Sequence, residues 1–442
     1  MVVFRRKLYD KMLRWKTEQN GQSALLIKGA RRVGKSTLVE EFARNEYKTY
    51  ILIDFSRVSR QVNRLFEDMS DLDYFFMHLQ LETHVKLYNR QSVIIFDEVQ
   101  RQPLARQAIK HLVKDGRYDY IETGSLLSIK KNIKDIVIPS EETRMTLNPM
   151  DFEEFMWAIG DETSVGILQQ FRDRRLALGA SHRQMMRQFR LYMLVGGMPQ
   201  AVNEYLKENN LQAVDRVKRN ILDLYEEDFR RIDSTGRASR LFAAIPGQLT
   251  SNASRFKVGR VDGSQTPSCV AEVVADMEDS MTINMAYRVN DPNVGMGLFR
   301  DFENYKMFLA DTGLFITLAF RDKSFTENVI YSKLLSGKLE ANLGYVYENV
   351  VAQMLKAAGD ELFYYTFSDG NGHNYEIDFI LSRANKIHPI EVKSSGYKAH
   401  KSLDEFCDRY SSRIGSRYLI YTKDYQRDGQ TECLPVYMTP LL

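Results

Sequence analysis

Two glycines, a lysine and a serine stand at a spacing that suits a polyanion. Gly29-Ala30-Arg31-Arg32-Val33-Gly34-Lys35-Ser36 follows the apolar run Ala24-Leu25-Leu26-Ile27 and precedes a helical pattern from Thr37 to Ala43, so it reads G-x-x-x-x-G-K-[ST] between a strand and a helix. Holding a triphosphate requires backbone N–H groups that converge on oxygens without Cβ obstruction, a helix N-terminus aimed at the charge, a lysine for the β- and γ-phosphates and a hydroxyl for Mg²⁺. Gly29, Gly34, Lys35 and Ser36 fill these roles. Ala30, Arg31, Arg32 and Val33 between them, and Thr37 after them, complete the expected binding loop. The plain alternative is a glycine turn ahead of a core helix.

A second element bears on that choice. Val93-Ile94-Ile95-Phe96-Asp97-Glu98 brings two carboxylates to the end of a buried strand, where open α/β sheets bind ligands. Asp97 is expected in the Mg²⁺ shell, and Glu98 is placed to polarise the water that attacks the γ-phosphate. Without the loop upstream the pair would read equally well as a polar strand exit. Thr123-Gly124-Ser125 ends the next strand, where the hydroxyl of Thr123 or Ser125 either senses the γ-phosphate or satisfies its own turn. Arg144, at the start of a fifth strand, either stabilises transition-state charge across a subunit boundary, which implies a homo-oligomer, or forms a surface ion pair.

A further constellation lies near the end of the chain. Asp378 and Glu391 sit thirteen residues apart on neighbouring apolar strands, Lys393 follows Glu391 by two, and Glu348 lies on the preceding helix. In the PD-(D/E)XK arrangement the strand carboxylates bind Mg²⁺, the lysine orients or deprotonates a water that attacks phosphorus, and the helix glutamate completes the metal shell. Glu-x-Lys alone also arises on the solvated face of a strand. His78, His84, His111 and His373 lack metal spacing and read as structural or surface residues.

These residues need elements to position them. From Ser23 to Leu147 short apolar runs alternate with helical patterns, the rhythm of a parallel sheet covered by helices. Asp151 to Tyr225 reads as successive amphipathic helices interrupted at Gly196-Gly197-Met198-Pro199. Residues 235 to 320 pair short helices with alternating segments, which suits a winged helix, and after Thr326 the order α-β-β-β-α-β describes a separate α/β domain. The expected division is 1–150 for the nucleotide-binding core, 151–234 for a helical lid, 235–325 for the winged helix and 326–442 for the last domain.

Composition bounds the rest. With 442 residues, 44% apolar and 27% charged, the chain is globular and long enough for about three domains. Lys+Arg of 61 against Asp+Glu of 58 leaves +3, so no whole-chain field points to nucleic acid or an anionic membrane. Basic surface must be local: between Phe229 and Arg260, Arg230, Arg231, Arg237, Arg240, Arg255, Lys257 and Arg260 face only Asp233, a surplus of six that would suit phosphates or, equally, a solvated helix face. Three widely spaced cysteines fit a reducing compartment, and no apolar run of membrane length or secretory leader is evident. A cytoplasmic protein with no membrane partner is expected.

The loop from Lys28 to Thr37, Asp97-Glu98-Val99-Gln100, Thr123-Gly124-Ser125, Arg144 through Pro149 to Glu154-Phe155, Gly196-Gly197-Met198-Pro199, Phe308 to Leu314 and Pro389 to Lys393 together resemble the predicted AAA+ superfamily ATPases of prokaryotes with a C-terminal domain of unknown function. Ser36 stands where threonine is common and keeps the hydroxyl. The resemblance implies an α/β P-loop NTPase core of the ASCE type, a lid whose Gly-Gly-x-Pro turn, with Pro199, approaches the nucleotide, a winged helix and a restriction-endonuclease-like fold. The function expected from residues and resemblance together is a Mg²⁺-dependent ATPase that couples ATP to a DNA-handling, nuclease-like end. The competing expectation is an ATP-driven signalling or scaffolding switch whose last domain is a non-cleaving interaction module.

Overall fold

The computed structural model describes residues 2–124, 141–251, 254–261, 263, 270–322, 328–336, 344–369, 372–394 and 400–442, the side chains of 328–330 and 333 excepted. Two compact units result: residues 1–148 with the short segment 279–281, and residues 149–278 with 282–442.

In the first unit five strands, β1 (Ala24–Lys28), β2 (Thr49–Asp54), β3 (Ser92–Asp97), β4 (Asp119–Gly124) and β5 (Glu142–Thr146), form one sheet in the order β2-β3-β4-β1-β5. Every pairing is parallel, as the alternation of strands and helices predicts. Successive side chains of a strand point to opposite faces. Leu26, Ile94 and Phe96 therefore join Phe75, Phe76 and Leu79 of helix Leu72–Thr83 on one side. Leu25, Ile27, Val93 and Ile95 join Val39 and Phe42 of helix Lys35–Glu46 on the other. Covering both faces is why β3 is apolar from Val93 to Phe96 and buried along its whole length. The order also decides chemistry: β4 lies between β1, which feeds the glycine loop, and β3, which carries Asp97.

In the second unit the helices Phe152–Ala158, Ser164–Asp173, Ala180–Val195, Pro199–Glu208 and Leu211–Ile232 follow one another. Asp151 opens the first with a capping box in which its side chain accepts from the Glu154 N–H and Glu154 reaches back. Eight strands follow: β6 (Ile283–Val289), β7 (Arg300–Leu309), β8 (Leu362–Ser368), β9 (Asn374–Arg383), β10 (Lys386–Val392), β11 (Arg417–Tyr421), β12 (Gln426–Asp428) and β13 (Thr431–Pro435). They make a single mixed sheet, β12-β13-β11-β10-β9-β8-β6-β7. Segment 235–325, expected as a winged-helix module, contributes β6 and β7 to the same sheet as the strands of segment 326–442, because β6 pairs in parallel with β8 from Ala286 and Leu362 onward. A period-two pattern specifies a strand but not the sheet that it joins.

Candidate active site

The glycine loop joins β1 to helix Lys35–Glu46 at the C-terminal edge of the first sheet. Gly29 has no room for a side chain, since a Cβ there would lie 2.4 Å from the carbonyl oxygen of Leu147. Gly34 caps the helix at φ 99°, in the left-handed region that glycine enters freely. The first turn of that helix carries no acidic residue, so its N-terminal dipole is left to attract an anion. Arg32 is exposed and left-handed at φ 68°, Arg31 is half-buried, and Ala30 and Val33 are buried.

Lys35 is 8% exposed, and its Nζ donates to the carbonyls of Gly29 at 2.9 Å and Ala30 at 3.0 Å. Burial lowers the pKa of this ammonium, opposed by the carboxylates of Glu98 and Asp97. Ser36, one residue on, donates from Oγ to Asp97 Oδ1 at 2.9 Å. Thr123, at the end of β4, donates to the same oxygen. Two strand ends and the start of the helix after the loop therefore meet at one carboxylate. Ser125 lies outside the described residues.

Glu98 follows Asp97 with φ 56°, a left-handed conformation uncommon for a residue with a side chain and often found where function constrains the backbone. This turns the half-buried Glu98 carboxylate off the strand line, and its Oε2 accepts from Gln100 Nε2 at 2.6 Å. Gln100 is an orienting partner that sequence reasoning did not single out. Arg144 lies on the edge strand β5, half exposed, with Nε 2.6 Å from Glu142 Oε1. Glu142 in turn meets Arg106 at 2.7 Å, and Arg106 lies 3.2 Å from Glu122. Burial raises the Glu122 pKa to about 8, with the neighbouring Glu142 adding to the rise and Arg106 opposing it.

Sequence reasoning also missed Arg6. Its buried guanidinium donates to the carbonyl of Val33 at 3.1 Å, in the glycine loop, and to that of Asn148 at 2.5 Å. An N-terminal arginine in a basic cluster carries no local sign of this, because both acceptors are backbone atoms far along the chain.

Pro199 opens helix Pro199–Glu208, and the turn before it is fixed from within the second unit. The Gly197 N–H donates to Asp311 Oδ2 at 2.5 Å, and a Cβ on Gly197 would lie 2.1 Å from the Met150 carbonyl oxygen. Asp311 Oδ1 also caps helix Thr312–Ala319 through Leu314 N–H at 2.8 Å. Two motifs more than a hundred residues apart thus form one buried junction, closed by Lys218 Nζ on the carbonyls of Leu194 at 2.7 Å and Gly313 at 3.2 Å.

The C-terminal carboxylates also gather, with additional partners. Asp378 Oδ2 accepts the Val392 N–H at 2.7 Å, and Lys393 Nζ lies 2.5 Å from Glu391 Oε1. Glu348 Oε2 lies 3.8 Å from Lys306 Nζ of β7, which also donates to Glu376 of β9. Burial raises the Glu348 pKa to about 7, Lys306 opposing and Asp378 and Glu376 adding to the rise. Among the described residues no three His, Cys, Asp or Glu side chains stand at metal-ligand spacing. The Ser36 and Asp97 pair differs: one hydroxyl and one carboxylate beside a phosphate loop are what Mg²⁺ takes from protein when phosphate and water supply the rest.

Residues 21–156 match the family model described as AAA domain. Residues 186–324 and 343–439 match two models described as domains of unknown function, DUF8612 and DUF4143. Among solved structures the chain is similar to the Walker-type ATPase PABY2304 of Pyrococcus abyssi, at 17% identity and a TM-score of 0.42, over 72% of this chain and 96% of that one. It is also similar to PCH-2 of C. elegans (12% identity, TM-score 0.28, 48% of this chain and 69% of that one). For Cdc6p from Pyrobaculum aerophilum the values are 11%, 0.24, 76% and 94%. No curated protein is significantly similar. The parallel sheet with its glycine loop defines a P-loop NTPase-like fold. Within that class, the match over residues 21–156 is to the AAA domain.

Proposed function

We propose that the chain is a Mg²⁺-dependent ATPase in which nucleotide state controls a nucleic-acid-handling C-terminal unit. The observation that carries the ATPase reading is the convergence of Ser36 and Thr123 on one oxygen of Asp97, beside the loop that encloses Lys35. In this reading the loop from Gly29 to Thr37 binds the triphosphate, and Ser36 and Asp97 hold Mg²⁺, which would neutralise phosphate charge. Glu98 takes a proton from the attacking water while Thr123 reports the γ-phosphate to Asp97. Lys35→Ala is expected to abolish ATP binding in calorimetry. Glu98→Gln is expected to keep binding and lower steady-state turnover by about 10² to 10⁴-fold, the usual contribution of a positioned base. Wild-type turnover in Glu98→Gln would remove Glu98 from that role.

The DNA-handling part rests on the basic stretch from Arg230 to Arg260. Arg230 and Arg231 are mostly exposed and only loosely approached by Glu226 at 3.9 Å and Asp228 at 3.8 Å, distances at which surface pairs contribute little. The switch reading, with a last domain that binds without cutting, is favoured by Lys306, an ammonium seated among the carboxylates that cleavage would need. Labelled branched, single-stranded and duplex DNA with Mg²⁺ or Mn²⁺, run beside Asp378→Ala and Glu391→Ala, separates the two. Cleavage abolished by either substitution supports the nuclease; binding without cutting supports the switch.

A further inference from the structure

Lys306 is a buried cation in the apolar run Tyr305-Lys306-Met307-Phe308-Leu309 of an edge strand. Its neighbour across β6 is Ala286, on the same face. A methyl group there leaves the lysine stem free to run over β6 toward β8, where Nζ lies 5.4 Å from the Tyr364 ring. It ends between Glu376 of β9 and Glu348 of helix Gly344–Ala358. Next to it, Asp378 is tied to the Val392 N–H and Glu391 to Lys393. The second oxygen of Glu391, Oε2, is buried without a hydrogen-bond partner among the described residues. Four carboxylates therefore share two ammonium groups, and Glu391 Oε2 stays open among the described residues.

The carboxylate set of a nuclease metal site is thus present in composition but differs in arrangement. A divalent ion seated at Glu348, Asp378 and Glu391 would share a water-poor site with the Lys306 ammonium, where like charges repel far more strongly than in bulk water. We propose that Lys306 is the resident cation of this cluster, standing where a metal ion would otherwise bind, so that the C-terminal domain takes up no divalent ion and cuts no phosphodiester bond until that ammonium is removed. This rests on the switch reading above and states its cause. It also predicts a latent site: without the ammonium, the open oxygen of Glu391 and the carboxylates of Asp378 and Glu348 become available to a hard divalent ion.

The test is Mn²⁺ binding to the full-length chain without nucleotide, followed by loss of the free-ion electron paramagnetic resonance signal, in an Asp97→Asn background that silences the ATPase metal position. The background protein should retain no Mn²⁺ at millimolar concentration. Adding Lys306→Met, or the more polar Lys306→Gln should the first not fold, should create one site per chain that is lost again on adding Asp378→Asn. Mn²⁺ retained by the protein with its natural Lys306 and released by Glu391→Gln would overturn the proposal. So would a folded Lys306→Met or Lys306→Gln protein that binds none. ATP turnover of the wild-type chain, measured in parallel, keeps the two readings apart: turnover with Mn²⁺ held at Glu391 defeats this inference alone, and absent turnover defeats the ATPase reading alone.

Discussion

Glu122 and Asp97 are both acidic and buried near the ends of adjacent strands, yet their partners differ in kind. Asp97 receives hydroxyls from Ser36 and Thr123 and faces the phosphate loop, whereas Glu122 faces Arg106 and a second carboxylate, Glu142. Burial, with the Glu142 carboxylate adding to it, outweighs the Arg106 guanidinium and raises the Glu122 pKa to about 8. The native state then binds more protons than the unfolded chain between about pH 4.5 and about pH 8. Stability therefore falls as pH rises through that window. Glu122→Gln, neutral throughout, should flatten the fall in thermal midpoint over this range; a slope identical to that of the wild type would show that Glu122 titrates normally.

At the scale of elements, the glycine loop is braced from outside itself. Helix Lys7–Gln19 begins one residue after Arg6, whose guanidinium joins the loop at Val33 to the exit of β5 at Asn148. Each hydrogen bond from a charged group to a buried carbonyl contributes about 1.5 to 3 kcal/mol. Arg6→Ala should lower the thermal midpoint and, because the loop is loosened while Glu98 and Thr123 keep their strands, raise KM for ATP about tenfold with kcat nearly unchanged. Arg6→Lys should recover part of the KM, since one ammonium still reaches a carbonyl. A fall in kcat at constant KM would instead place Arg6 in the chemistry. The junction of Gly197 with Asp311 makes the complementary point: a motif expected beside the nucleotide is held by hydrogen bonds within the second unit.

At the scale of the whole molecule, Arg144 bears on assembly. Arg144 projects from an edge strand, half exposed, and is steered by Glu142. An arginine so placed is available to a neighbouring subunit as well as to its own chain. Light scattering should report a larger species with ATP in a Glu98→Gln background than without nucleotide, and mixing Arg144→Ala subunits into the wild type should reduce turnover more than in proportion to their fraction. An unchanged monomer under both conditions would remove the trans role. No helix among the described residues is long and apolar enough to cross a membrane.

The sequence by itself determined the parallel sheet, the loop at its edge and the carboxylate that faces it. Those features are local: apolar runs of strand length, a glycine-lysine-serine spacing and a strand ending in Asp97 each occupy a few consecutive residues. Only the tertiary structure decided that β4 inserts between β1 and β3, which brings Thr123 onto Asp97. It likewise decided that Arg6 braces the loop, that β6 and β7 belong to the last sheet, and that Lys306 enters the acidic cluster. The reason is common to all four. Each depends on pairing between segments distant in the chain, and neither a residue's type nor its periodicity records which backbone it will meet.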